Sequence, residues 1–168
     1  MITTERLRVR PATMADVDFW VRLHADPEVH RFVGAYTQER AEVRLRGIED
    51  SWAARGYGLC VVESLESGEP LGRSGLNWWD EFGETEVGWT FAREHWGKGY
   101  ATEAARAVLD WGFRDLELER ITAMIHAGND ASIAVAERLG FTPRREDTVL
   151  GNPCTVWALD RPQASRRR

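Results

Sequence analysis

The stretch Trp96-Gly97-Lys98-Gly99-Tyr100-Ala101 holds two glycines one residue apart and is the part of this chain best suited to bind an anion. Glycine lets a backbone approach a ligand closely and adopts conformations that side chains resist. Where a helix begins directly after such a pair, its first free N–H groups carry partial positive charge, and a phosphate or pyrophosphate is the natural occupant. Taken alone the pair also fits an ordinary glycine turn, so the flanking residues decide. Metal chemistry is not expected. His24, His30, His95 and His126 fall in no H-x-x-x-H pattern, and Cys60 and Cys154 stand far apart without metal-ligand spacing. Both cysteines are expected to be buried and reduced.

A strand must lead into the turn and a helix must leave it. Glu86–Phe91 reads as the strand, and Thr102–Arg114 reads as the helix. Ala101, Ala105, Val108 and Gly112 share one face of that helix, with Leu109 beside them, and their small size allows close packing on a sheet. Arg120–His126 is the next strand, which completes a strand–helix–strand unit of the size a parallel crossover needs. Asn129 is placed to cap a short helix through Leu139, and Gly140 to end it in the left-handed conformation.

Upstream, Leu7 and Val9 alternate with Arg6, Arg8 and Arg10, the period of a half-buried strand that Pro11 ends. Thr13 and Asp16 resemble a capping pair for a helix carrying Val17, Trp20 or Val21, and His24. Thr37 opens a second helix with Ala41, Leu45, Ile48 and Trp52 on one face, and Glu28–Tyr36 connects the two. Tyr57–Glu63, Leu71–Trp79 and Thr85–Phe91 read as an antiparallel meander. Phe141 restarts extended structure, and Val149–Leu159, broken by Gly151-Asn152-Pro153, supplies the last strands.

Length and composition bound the function classes. At 168 residues the chain is one ordinary domain, residues 1–160, followed by a polar tail, 161–168. The hydrophobic fraction of 43% with eight tryptophans fits a packed core, and no apolar run approaches the ~18 residues of a membrane helix. The first ten residues carry charges and no apolar block, unlike a signal peptide, so a cytoplasmic location is the default expectation. A net charge of −5 argues against a nucleic-acid binder.

These elements, in this order, resemble the GNAT N-acetyltransferases. The resemblance rests on W-G-K-G-Y-A-T-E-A at 96–104, E-V-G-W at 86–89 and the run from Asn129-Asp130-Ala131-Ser132 to Leu139-Gly140-Phe141. T-E-R-L-R-V-R-P at 4–11 and D-P-E-V-H-R-F at 26–32 resemble the RimJ/RimL-like branch of that family. The resemblance implies an α+β (α/β) fold. Its sheet is mixed and mostly antiparallel, of six to seven strands splayed at the cofactor-binding strands, with about four flanking helices.

It further implies acetyl-CoA as co-substrate, held at the pyrophosphate by backbone N–H groups of Trp96, Gly97, Lys98, Gly99, Tyr100 and Ala101, with Thr102 opening the helix. Trp96 stands where many relatives have Gln or Arg, although this branch commonly has Trp. Lys98 and Arg93 fit either a phosphate contact or simple solvation. Trp89 and Phe91 lie on the strand along which the thioester would run, and Asn129 matches a position contacting the CoA arm. A carboxylate is wanted to deprotonate the amine, and Glu86 is the candidate base, with Glu81 and Glu84 as neighbouring competitors. Ser132 matches the donor proposed for the departing thiolate, in a helix that lacks the more usual Tyr. Phe32, Tyr36, Trp78 and Trp79 are the acceptor-binding candidates, with ordinary packing or a homodimer surface as the alternative for the tryptophans. The expected partner is an amine-bearing acceptor, a small molecule or a protein N-terminus, and neither nucleic acid nor membrane. A non-catalytic acyl-CoA sensor is the second reading. A dinucleotide motif fits poorly, since Thr102 holds its third glycine position.

Overall fold

A computed structural model describes residues 1–163; the end of the expected polar tail, 164–168, lies outside the described residues. The chain runs β1 (Ile2–Thr3), β2 (Leu7–Pro11), α1 (Val17–Leu23), α2 (Pro27–His30), α3 (Gln38–Arg55), β3 (Leu59–Ser64), β4 (Pro70–Trp79) and β5 (Glu84–Phe91). It continues with α4 (Tyr100–Arg114), β6 (Arg120–His126), α5 (Asp130–Leu139), β7 (Thr142–Val149) and β8 (Asn152–Asp160).

The eight strands form one sheet in the order β1-β2-β3-β4-β5-β6-β8-β7. Every neighbouring pair is antiparallel except β5 and β6. The sheet thus has eight strands rather than six or seven. The additional one is β1, whose two residues are too short to show any hydrophobic period. The fifth helix, α2, lies inside what reads as a connection. Asp26 caps it by accepting a hydrogen bond from Glu28 N–H, and Pro27 supplies a preset φ at its first position. The last hairpin turns on Leu150 and Gly151, both at positive φ, so Pro153 belongs to β8 and not to the turn.

Three layers result. On one face α4 and α5 pack Ala104, Ala105, Val108, Leu109, Val135, Ala136 and Leu139 against Val62, Leu76, Val87, Phe91, Ile121 and Ala123. Gly112 lets α4 sit close to the sheet there: a Cβ would come within 2.9 Å of Ile121 Cδ1, the end of a side chain that would have to shift. On the other face α1 and α3 place Trp20, Ala41, Leu45 and Ile48 against Leu59 and Val61 of β3. Thr13 and Asp16 form the expected capping box before α1, and Thr37 caps α3. Cys60 and Cys154 are buried and unpaired.

Candidate active site

The parallel strands β5 and β6 pair at a single register position, Glu86 opposite Thr122. At that point the Met124 N–H donates to Glu86 Oε1 at 3.3 Å, and Thr122 Oγ1 donates to the Thr85 carbonyl at 3.3 Å. Beyond it the strands have no further ladder partners, as the expected splay requires. A cleft of about 1220 Å³ opens between the end of β5 at Trp89–Phe91 and the segment after β6 at Gly128–Ser132. Its floor is the turn before α4.

That turn has the geometry of an anion cradle. Gly97 and Gly99 sit at φ 75° and 80°, where side chains are strained, and Gly99 caps α4 with no side chain of its own. The helix therefore presents free N–H groups to the cleft. Trp96 ties the turn to the preceding strand, its Nε1–H donating to the Phe91 carbonyl at 2.8 Å. The Tyr100 ring stacks near Phe91, with ring centroids 6.4 Å apart.

The outer side of the turn is held by the connection between β1 and β2, a role that nothing in the local motif signals. Arg6 Nη1 donates to the Lys98 carbonyl at 2.9 Å, while its guanidinium lies 4.5 Å from the Tyr100 ring centre. Arg6 also bonds Glu103 through Nε at 2.7 Å, and Thr4 Oγ1 donates to the same carboxylate at 2.7 Å. Burial alone would raise the Glu103 pKa, but the bonds from Thr4 and Arg6 hold it below the ordinary range.

Of the residues expected at the cofactor site, Trp89, Phe91, Trp96, Gly97, Gly99, Tyr100, Ala101, Thr102 and Asn129 all line this one cleft. Lys98 does not. Arg93 also stands outside, paired with Asp26 at 3.2 Å. The arginines that do line the cleft are Arg31, Arg106 and Arg138. Asn129 caps α5, its Oδ1 accepting from Ser132 N–H at 3.3 Å. Ser132 Oγ in turn accepts from Trp89 Nε1–H at 3.2 Å. The indole uses one acceptor position of the hydroxyl and leaves its O–H free to donate into the cleft.

Alternation along β5 sends Val87, Trp89 and Phe91 toward α4, and Glu86, Gly88 and Thr90 to the opposite face. Glu86 is therefore reached from the α1/α3 side. Its Oε2 accepts from Trp79 Nε1–H at 2.5 Å. Protein packs closely around the carboxyl, though part of the residue is accessible. Burial pushes its pKa up, against the bonds from Trp79 and Met124 and the more distant charges of Arg73 and Arg44. The competing acids are placed elsewhere: Glu84 forms a two-point ion pair with Arg145 at 2.8 and 3.1 Å, and Glu81 is exposed.

The four aromatic acceptor candidates separate. Phe32 lines the cleft. Trp79 shares the Glu86 face and packs beside Phe82 and Met124. Trp78, one residue away on β4, points to the opposite face, where Arg55 stacks on it at 4.5 Å and Asp80 accepts from its Nε1–H. Tyr36 packs edge-on to His24 at 4.8 Å and Trp20 at 6.5 Å.

Residues 6–142 match the family model of the acetyltransferase (GNAT) domain. The protein YkkB of Bacillus subtilis (strain 168) is 38% identical over 163 residues, 93% of each chain. The N-acetyltransferase p20 of Bacillus licheniformis is 34% identical over 142 residues, 82% of this chain and 80% of that one. A crystal structure of an acetyltransferase from Agrobacterium tumefaciens str. C58 superposes with a TM-score of 0.84 at 32% identity, covering 94% of this chain and 92% of that one. With the splayed parallel pair and the glycine turn already in place, these matches make the chain an acyltransferase enzyme that belongs to the GNAT family of acetyltransferases.

Proposed function

We propose that the protein transfers an acetyl group from acetyl-CoA directly to a primary amine in a ternary complex, without a covalent enzyme intermediate. The single observation that carries this reading is the splay where β5 leaves β6: the cleft beyond it ends in an anion cradle, and a carboxylate, Glu86, stands on the other face of β5 at the one register position where the two strands still pair. The pyrophosphate of the donor takes the N–H groups after Gly99, and the pantetheine lies along Trp89–Phe91. Acetyl-CoA is the group that fits such a site; its chemistry is an activated thioester carbonyl.

The chain's own groups then divide the work. Glu86, ionised, accepts the proton that the attacking amine must lose, directly or through one water. The unpaired edge of β5 beyond Glu86 offers backbone N–H groups to the oxyanion that develops on the thioester oxygen. Ser132, its hydroxyl oriented by Trp89, donates to the departing sulfur. No cluster of three potential metal-ligating residues is present among the described residues. Likewise no helix among the described residues is long and apolar enough to cross a membrane.

Release of CoA thiol, measured over a panel of amino acids, peptides and polyamines, tests the reaction. Turnover with at least one primary amine is expected. Tight acetyl-CoA binding without turnover on any acceptor would favour a sensor instead.

A further inference from the structure

The Glu86 face carries two guanidinium groups, Arg73 and Arg44, that have no carboxylate partner among the described residues. Arg73 of β4 lies deep in the protein with only part of its surface accessible. No carboxylate lies within ion-pair distance of it among the described residues; its one side-chain hydrogen bond runs from Nε to His24 Nε2 at 3.2 Å. His24 is itself neutral and held in one tautomer, since its Nδ1–H donates to the Trp20 carbonyl at 2.7 Å. The guanidinium stacks on Trp20, 5.4 Å from the ring centre. Its Nε edge is thus committed, and the Nη edge is not.

That free edge points along the sheet toward the base. Arg73 Nη1 lies 3.6 Å from the position a Cβ would take on Gly88, and Gly88 is the next residue on this face after Glu86. Arg44 of α3 adds a second guanidinium without a carboxylate partner among the described residues, bonded only to Asn77 Oδ1 at 3.2 Å, and Asn77 sits directly opposite Glu86 in the sheet. Two arginines therefore face one carboxylate, with Tyr36 the other ionisable group beside Arg73. A deep unpaired guanidinium is costly, and the fork of Nη1 and Nη2 matches a carboxylate in both geometry and charge.

We propose that the acceptor is an amine carrying its own carboxylate, the class of free α-amino acids, with that carboxylate on Arg73 and the amine at Glu86. Polyamines, aminoglycosides and other polycations are disfavoured by the same two arginines. The inference rests on the transferase reading given above, and it concerns only which amine that site takes.

The test compares each of the twenty free amino acids with its own carboxamide, plus spermidine, as acceptors with acetyl-CoA. At least one acid should be used about ten-fold better in kcat/KM than its amide, the discrimination of one charge-assisted pair. In Arg73→Gln that ratio should fall to within about two-fold, and Arg73→Lys, which keeps charge but not the fork, should retain part of it. The ratio is measured within one preparation, so partial misfolding of a variant leaves it unchanged. Equal loss on acid and amide in Arg73→Gln, or an acceptor range limited to amides, peptides or spermidine, overturns the proposal while the transferase reading stands. If no amine is acetylated, the transferase reading falls, and the anion site is read alone. Calorimetry with CoA present should then show N-acetyl amino acids binding wild type more tightly than their amides, with the difference lost in Arg73→Gln. Equal affinities in wild type overturn it.

Discussion

Burial acts in opposite directions on two neighbouring groups of the Glu86 face: it pushes the Glu86 carboxyl up and the Arg73 guanidinium down to about 10. Glu86 must be ionised to take a proton, so kcat should rise with pH on an acid limb displaced above the ordinary glutamate range. Glu86→Gln should lower kcat by about 10²-fold or more and remove that limb, read from pH-rate profiles. Ser132→Ala should cost less, since a thiolate leaves readily. His24 gives a second pH signature. Burial, together with the Arg73 charge, lowers its pKa from 6.5 to about 3. As pH falls below 6.5 the unfolded chain takes up the proton and the folded chain does not, so stability present above that pH is lost toward pH 3. The loss approaches about 1.4 kcal/mol per pH unit within this window. Urea midpoints at neutral and mildly acidic pH should show it, and His24→Gln should flatten the difference.

At the scale of elements, the cradle is built by the contiguous run from β5 through the turn into α4 and by Thr4 and Arg6, far away in sequence. Trp96 fastens the turn to β5, Arg6 just before β2 clamps the Lys98 carbonyl, and Glu103 on α4 receives Thr4 and Arg6. Arg6→Ala should weaken CoA binding by about five-fold or more in calorimetry, because the N–H groups lose their support although Arg6 does not line the cleft. Gly99 is a different case. At φ 80° an alanine is strained by about 1–2 kcal/mol, which should lower Tm by a few degrees. Gly99→Glu adds a negative charge to the cradle and should abolish CoA binding; unchanged affinity there would remove the site assignment.

For the whole molecule, the splay is a gap in an otherwise continuous sheet. β5 and β6 share one register position, so the two halves of the sheet are joined near Glu86 and Thr122 by their ladder, by α4 and by the side-chain bonds around Glu86. A ligand filling the gap should stiffen both halves. At 100 times Kd, CoA should add about 2.7 kcal/mol of stability, a Tm increase of roughly 5–10 °C. Slower amide exchange is expected at the first turns of α4 and α5 and along Trp89–Phe91. An unchanged Tm at saturating CoA would place the cofactor elsewhere.

Local chemistry made much of this legible from the chain alone. Period-two and period-3.6 patterns, the caps Thr13, Thr37 and Asn129 and the left-handed Gly140 located most elements, because each depends on residues a few positions apart. The glycine turn located the cleft for the same reason. Short-range pattern was silent on β1, which exists only by pairing with β2, and on α2. It also grouped Trp78 with Trp79, although strand alternation in the assembled sheet sends them to opposite faces. Glu84, a competitor of Glu86 on the sequence, is paired with Arg145 of β7, a contact that no local pattern signals. The cationic wall beside Glu86 is wholly tertiary: Arg44 comes from α3 and Arg73 from β4, and the neutral His24 that holds Arg73 stands at the end of α1. Charge and burial depend on what surrounds a group in space, and only the folded chain brings those neighbours together.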